Sequence, residues 1–274
     1  MNYRHAFHAG NFADVAKHLA LVSILEYLKK KDAPFAVIDT HAGRGLYDTT
    51  SEEARRSGKA GTGIARLRDL ADGPELLRLY LEIAGGFGKT NYPGSPLITA
   101  TLLREGDRLL AIEKHPEDAK ALAKVLKPFL RARAMEGDGY ERLIGLLPPR
   151  ERRGLILIDP PYESPDEFDN AARAVADVLQ RFATGIVLVW FPIKSAAAAN
   201  AFCGEVLATG VRKMLRIDIE AGADGERMGA AGLLVINPPF GFEAEMRGAL
   251  AAIAPLLGRA GPAKTRLSWL VGSE

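Results

Sequence analysis

Gly154-Leu155-Ile156-Leu157-Ile158-Asp159-Pro160-Pro161-Tyr162 is the stretch from which the rest of the chain can be read. Four consecutive aliphatic residues leave no polar face, so this is a strand buried on both sides, as inside a parallel sheet. It ends abruptly, because neither proline can donate to a β-ladder. Further strand candidates are Phe35–Asp39, Arg108–Glu113, Arg133–Glu136, Gly185–Trp190, Lys213–Ile219, Gly232–Ile236 and Thr265–Val271. Helical patterns separate most of them, including Ala13–Lys30, Pro116–Leu126, Phe168–Phe182, Ser195–Leu207 and Phe242–Leu257. This alternation predicts an α/β fold, a mostly parallel sheet with helices on both faces. In the first helix Val15, Leu19 and Val22 share one face, with Asn11 as candidate cap.

One interval breaks the rhythm. From Tyr47 to Glu105 there is no convincing strand, only helical runs such as Gly63–Ala71 and Pro74–Ala84. A second parallel strand normally arrives after one crossover helix, so 47–105 reads as a small helical insertion within a single domain covering 1–274.

Composition narrows the class. With 274 residues, 47% of them hydrophobic and 26% charged, the chain is an ordinary globular protein and neither disordered nor fibrous. No apolar stretch is long enough to span a bilayer and no charged-then-apolar leader opens the chain, so a cytoplasmic protein without a membrane partner is expected. The single cysteine, Cys203, excludes an internal disulfide and a Cys-based zinc site, and its Ala-rich helical setting suits a small buried side chain. His5, His8, His18, His41 and His115 match no compact ligand spacing, so no metal is expected. Thirty-six Lys+Arg against thirty-four Asp+Glu give a net charge of +2, and no whole-protein field announces a nucleic-acid partner. Basic runs within Met1–Lys31 and at Arg150, Arg152 and Arg153 read as solvated faces. Nothing suggests a coiled coil or a swapped element, so a monomer is expected.

The chemistry gathers where strands end, which is where open α/β sheets bind ligands. Asp159 and the Pro160 carbonyl can each accept a hydrogen bond from a planar amino group, and no proline N–H competes. That would aim the nitrogen lone pair at an electrophile and let Asp159 take the released proton. Tyr162 offers a ring on which a base drawn from its stack can rest. Asn237-Pro238-Pro239-Phe240 is a similar string, but it falls too late in the chain and reads as a structural turn. After the first strand, Asp39-Thr40-His41-Ala42-Gly43-Arg44-Gly45 lets backbone approach a ligand closely. Glu113 follows at the end of the next strand, where an acid holds ribose hydroxyls, and Asp138-Gly139 after the third could meet an adenine edge. Helix capping is the alternative reading of Glu113 and Asp138.

These residues resemble a known family. Tyr3-Arg4-His5-Ala6-Phe7-His8-Ala9-Gly10-Asn11, continued by Ala13-Asp14-Val15 and Lys17-His18, is similar to the amino terminus of the RlmJ family. So are Asp39-Thr40-His41-Ala42-Gly43, Tyr92-Pro93-Gly94-Ser95-Pro96, the segment Arg153–Tyr162 and Arg181–Ile186. The resemblance covers essentially the whole chain. It implies a Rossmann-like class I methyltransferase that uses S-adenosyl-L-methionine (AdoMet) on the N6 amino group of one adenine in 23S rRNA, with an inserted helical subdomain. It further implies that His18, His41, Ser95, Glu113, Asp138 and Gly139 contact AdoMet and that Asp159 is the catalytic acceptor. Tyr3 is implied to touch the substrate, with Lys17 beside it and Pro160 and Tyr162 in the same loop. Ser95-Pro96 also reads as an N-cap and first helical residue. Two departures from the family pattern stand out: Phe12 where a His is often seen, and Phe191 where a Tyr is common, the latter removing a hydroxyl expected near the site.

Two rival readings of the loop remain. The same Asp-Pro-Pro-aromatic chemistry suits adenine in DNA, guanine N2 or a protein glutamine. A non-catalytic RNA-binding assembly factor could retain the scaffold. A nicotinamide-dependent dehydrogenase fits less well, because Gly43-Arg44-Gly45 lacks a full dinucleotide fingerprint.

Overall fold

The computed structural model describes residues 9–51, 63–70, 72–222 and 228–273. In chain order these form α1 (Phe12–Lys29), β1 (Ala36–Asp39), β2 (Leu46–Asp48), α2 (Glu75–Gly85), β3 (Asn91–Pro93), α3 (Ser95–Leu102), β4 (Arg108–Glu113), α4 (Pro116–Leu126) and β5 (Ala132–Glu136). They continue with α5 (Gly139–Leu146), β6 (Gly154–Ile158), α6 (Glu167–Arg181), β7 (Ile186–Pro192), α7 (Ala196–Ala208), β8 (Met214–Glu220), β9 (Ala230–Ile236), α8 (Phe242–Leu257) and β10 (Lys264–Val271).

All five residues of β6 are buried, as its uniform apolar character requires. It lies inside an eight-stranded sheet of order β10-β8-β9-β7-β6-β1-β4-β5. The contacts from β5 through β7 are parallel, whereas β9 runs against both β7 and β8, and β10 against β8. The period of two sorts side chains between layers. Val37, Leu155, Leu157 and Leu188 pack under α1, α3 and α8, while Ile38, Ile156, Ile158 and Val189 pack under α6 and α7. The chain runs outward from β1 to β4 and β5 and then returns to β6 on β1's other side. The switch point therefore lies between β1 and β6, where the crevice beyond the carboxyl ends opens.

Three expectations need correcting. α1 is buried on nearly every side, with Asp14, Lys17, His18 and Ser23 included, and not along one stripe. Elements from α2, α3, α8 and the sheet surround it. Its cap is as expected: Asn11 Oδ1 accepts the N–H groups of Ala13 and Asp14 at 2.7 and 2.9 Å. The interval read as strandless holds β2 and β3, paired antiparallel, each three residues long and so too short to show a periodicity. The run Gly63–Ala71 forms only a 3-10 turn at Ile64–Arg66; Ala71 lies outside the described residues. Ile64 and Leu67 are its buried apolar pair, a spacing one turn satisfies, and Asp69, Asp72 and Pro74 supply nothing to extend it.

The late proline pair is a structural turn, for a topological reason. Because β9 is antiparallel to β7, its carboxyl end lies at the edge where β7 begins. There Asn237 Nδ2 donates to the Ala183 and Gly185 carbonyls at 3.0 and 2.8 Å.

The start of β6 is sterically closed. A Cβ on Gly154 would lie 1.9 Å from the Ala36 carbonyl oxygen of β1, a backbone atom that cannot move without breaking the ladder. Gly154→Ala should therefore destabilise the fold by about 2–4 kcal/mol, lowering the melting temperature by on the order of 5–10 °C. Unchanged thermal unfolding would show that this pairing tolerates a side chain.

Candidate active site

Three loops leave the carboxyl ends of β1, β4 and β5 and are locked together by backbone donors. Gly43, at φ 63°, donates its N–H to Glu113 Oε2 at 2.8 Å, and Glu113 Oε1 accepts the His115 N–H at 2.7 Å. A Cβ on Gly43 would stand 2.1 Å from the Tyr47 hydroxyl. On the third loop, a Cβ at Gly139 would be 2.0 Å from the Thr40 carbonyl oxygen, so only glycine lets β5's loop close onto β1's. Asp138 caps α5 through the N–H groups of Tyr140 and Glu141 and pairs with Lys114 at 2.8 Å. Glu113 therefore orders a loop and is no helix cap, whereas Asp138 is one.

These loops and the Asp159 loop enclose a cavity of about 340 Å³ lined by His41, Gly43, Glu113, Asp138, Gly139, Tyr140, Asp159 and Pro161 among others. That volume lies in the range of small-molecule sites. Each Glu113 oxygen accepts one backbone N–H and retains a further acceptor site for a ligand hydroxyl. Burial holds the Glu113 carboxyl above its ordinary range. The His41 ring packs edge-on against Tyr140, centroids 4.9 Å apart, and the Tyr140 hydroxyl donates to Glu167 at 2.9 Å.

Behind the cavity lies a buried charge relay. The Lys17 ammonium, on α1, donates to Asp159 Oδ2 and to Asp14 Oδ1, the latter at 2.8 Å, and Asp14 Oδ2 accepts the Gly10 N–H at 2.9 Å. Lys17 and Asp14 are 2% and 3% exposed, so this lysine is no solvated surface cation. Burial alone would pull the Lys17 pKa down; the two carboxylates outweigh it and hold the ammonium above its ordinary range. Asp39, fully buried at the end of β1, accepts the Ser95 hydroxyl at 2.6 Å.

Five of the expected site residues, His41, Glu113, Asp138, Gly139 and Asp159, thus line one cavity. Lys17 reaches Asp159 from the core side. Ser95 and His18 do not line it. Ser95 is the first helical residue of α3, with Gly94 in the cap position, and its hydroxyl turns to Asp39. His18 Nδ1 is 2.6 Å from the Tyr92 hydroxyl, itself 3.0 Å from that of Tyr80, within the core. Tyr162, at φ 52°, donates its hydroxyl to the Trp190 carbonyl at 2.9 Å, and its ring packs against Phe168 and Trp190 with only 7% exposure. Pro160 lies between Asp159 and Pro161. Tyr3 lies outside the described residues, as do His5 and His8. Among the described residues no three His, Cys, Asp or Glu side chains cluster as metal ligands.

Phe191 is placed differently from expectation. Its ring is fully buried in the space that Gly232 leaves open, against Phe202 and under the Arg216 guanidinium, and does not line the cavity. Asp14 and Asp39 carry more of the site than their bare sequence suggests. The i,i+3 spacing of Asp14 and Lys17 on a helix was the available signal for the first.

Asp39 and His41 titrate in opposite senses. Burial, helped by nearby Asp159 and opposed by the Ser95 hydrogen bond, raises the Asp39 carboxyl from 3.8 to about 7. Burial lowers the His41 imidazole from 6.5 to about 4 against the pull of Asp159 and Asp138. The folded state thus binds an extra proton at Asp39 from pH 3.8 to about 7, and stability from this group falls as pH rises through that window. At His41 the folded state binds fewer protons from about pH 4 to 6.5, and stability rises across it. Asp39→Asn should therefore steepen the gain of stability with rising pH in urea unfolding across this window, and His41→Gln should flatten it. Parallel profiles for the two variants would contradict both assignments.

The chain has relatives of known family. The chain is 42% identical over 277 aligned residues to Ribosomal RNA large subunit methyltransferase J of Escherichia coli (strain K12), covering 99% of each. It is 38% identical to the Haemophilus influenzae protein of the same name, covering 98% of this chain and 99% of that one. The crystal structure of protein LPL1258 from Legionella pneumophila superposes with a TM-score of 0.88 at 32% identity, over 95% of this chain and 98% of that one. The family model described as "RsmJ: Ribosomal RNA large subunit methyltransferase D, RlmJ" matches residues 32–271. With its Rossmann-like sheet and its cavity at the switch point, the chain belongs to the RlmJ family of ribosomal RNA methyltransferases.

Proposed function

We propose that the protein methylates the N6 amino group of a specific adenine in 23S rRNA, with AdoMet as methyl donor and Asp159 as the acceptor. The observation that carries this reading is the pairing of Asp159, which lines a nucleoside-sized cavity, with Lys17 buried behind it. When bound, AdoMet supplies an electrophilic methyl group. Glu113 is suited to hold ribose hydroxyls through its free acceptor sites, and the Gly43 and Gly139 turns allow backbone to approach the ligand. Asp138 and His41 complete the wall, His41 as a neutral imidazole at neutral pH.

An aromatic amine is a weak nucleophile because its lone pair is delocalised into the ring. A carboxylate oxygen of Asp159 and the Pro160 carbonyl accept its two N–H bonds and turn the lone pair toward the incoming carbon. Formation of the N–C bond would be matched by breaking of the methyl–sulfur bond, leaving a neutral thioether; the positive charge gathering on the nitrogen would be stabilised by the fixed Asp159 carboxylate, which would take the displaced proton. Lys17, held between Asp14 and Asp159, keeps that oxygen at one position, and Tyr162 with Trp190 fixes the loop behind it. Residues 47–105 are then an insertion in one methyltransferase domain spanning 1–274, acting in the cytoplasm as a monomer.

The test is transfer of labelled methyl from AdoMet to unmodified 23S rRNA, followed by nucleoside analysis. A single N6-methyladenosine is expected. Asp159→Asn should lose about 10²–10⁴-fold in rate with AdoMet affinity nearly unchanged. Methylation of DNA or peptide but not rRNA would overturn the substrate, and near-normal turnover of the variant would overturn the acceptor.

A further inference from the structure

Residues 119–135 contain five cations, Lys120, Lys124, Lys127, Arg131 and Arg133, and no acid, in a protein whose net charge is only +2. The fold makes this run a continuous face. At 100° per residue Lys120 and Lys124 of α4 and Lys127 at its C-cap fall within about 60° of one another, opposite Ala119, Leu122 and Leu126, which are buried. Arg131 and Arg133 are spaced by two at the start of the edge strand β5 and extend the face where α4 ends. All five side chains belong to exposed residues.

They are also uncompensated. Among the described residues, only Arg131 makes an ion pair, to the almost fully exposed Glu105 at 3.7 Å. Elsewhere on the surface, α8 sets Arg247 four residues after Glu243 and pairs them at 2.5 Å. In α4 the partner of Lys124 at that spacing is another cation, an arrangement that works against the helix. A charged edge strand guards against stray pairing, which would explain Arg133 but not the lysines.

The position supplies the rest. α4 starts at Pro116, directly after His115, which lines the cavity that also holds Asp159. From there the lysines run for about 10 Å down the flank of the sheet. A row of cations, four of the five without an ion pair, that starts next to the cavity and leads away from it has the electrostatic footprint of a phosphodiester backbone.

We propose that Lys120, Lys124, Lys127, Arg131 and Arg133 form the surface along which backbone phosphates of structured RNA lie while the target nucleotide occupies the neighbouring cavity. This rests on the reading above that the substrate is RNA. The face supplies affinity through charge and carries no base specificity.

The experiment measures binding of an unmodified 23S rRNA fragment across a salt series. It compares the full chain with Lys120→Gln/Lys124→Gln/Lys127→Gln and with the corresponding triple Arg variant. The Gln variant should weaken Kd at least tenfold near 0.1 M salt and reduce the slope of log K against log salt by about 2. AdoMet affinity, thermal unfolding and methyl transfer at saturating RNA should be unchanged, and the Arg variant should restore binding. Equal Kd and slope for wild type and Gln variant would overturn the proposal. Lysine-dependent RNA binding without methyl transfer to that RNA would leave this face standing and remove the proposed reaction. Methylation with an unaltered slope would do the reverse, and absence of RNA binding by the wild type would remove both.

Discussion

A lysine with almost no exposure, clamped between two carboxylates, is the constraint around which this molecule is arranged. Taking Lys17, Asp14 and Asp159 out of water is expensive, and their mutual contact, with the Gly10 N–H on Asp14, offsets it. Removing one member of such a group costs roughly 3–5 kcal/mol, because a charge is left stranded. The contact ties α1, early in the chain, to the loop after β6, separated by 142 residues. It explains why α1 passes through the interior with polar residues on several sides. A helix with only an apolar stripe could pack against the sheet, but could not present an ammonium to Asp159.

The cavity depends on a second constraint, which is backbone closeness. Gly43, Gly139 and Gly154 each stand where a Cβ would meet another group at about 2 Å. Gly154 brings β6 against β1, and Gly139 brings β5's loop against β1's. Glu113 then ties β4's end to β1's through the Gly43 N–H. These contacts hold three strand ends together beside the cavity, whose lining Asp159 completes from the end of β6.

Much of this architecture was legible because buried parallel strands announce themselves. All eight long strand candidates became strands of the one sheet, most plainly where an uninterrupted aliphatic run such as Leu155–Ile158 is buried on both faces. β2 and β3 were illegible because three residues show no period and their pairing is imposed by the surrounding packing. Asp159, Glu113, Asp138 and Gly139, which line the cavity, could be singled out because position at a strand's end is itself a signal. Ser95 and His18 came only from family resemblance, and the structure puts both in the core against Asp39 and Tyr92. The burial of Lys17 was hidden because a lysine's ordinary place is the surface; only Asp14 three residues earlier hinted at a partner. The environment of Phe191 depends on Gly232 across the ladder, a cross-strand relation that sequence order does not display.

In the proposed reaction Lys17 acts through Asp159, fixing the carboxylate that receives the substrate's amino group. A double-mutant cycle on the single-turnover methylation rate, with Lys17→Met, Asp159→Asn and the pair combined, tests it most directly. If the two residues work as one unit, the double variant will be no slower than the slower single variant. If their losses multiply, Lys17 contributes independently of Asp159, and the claim that it positions the acceptor is wrong.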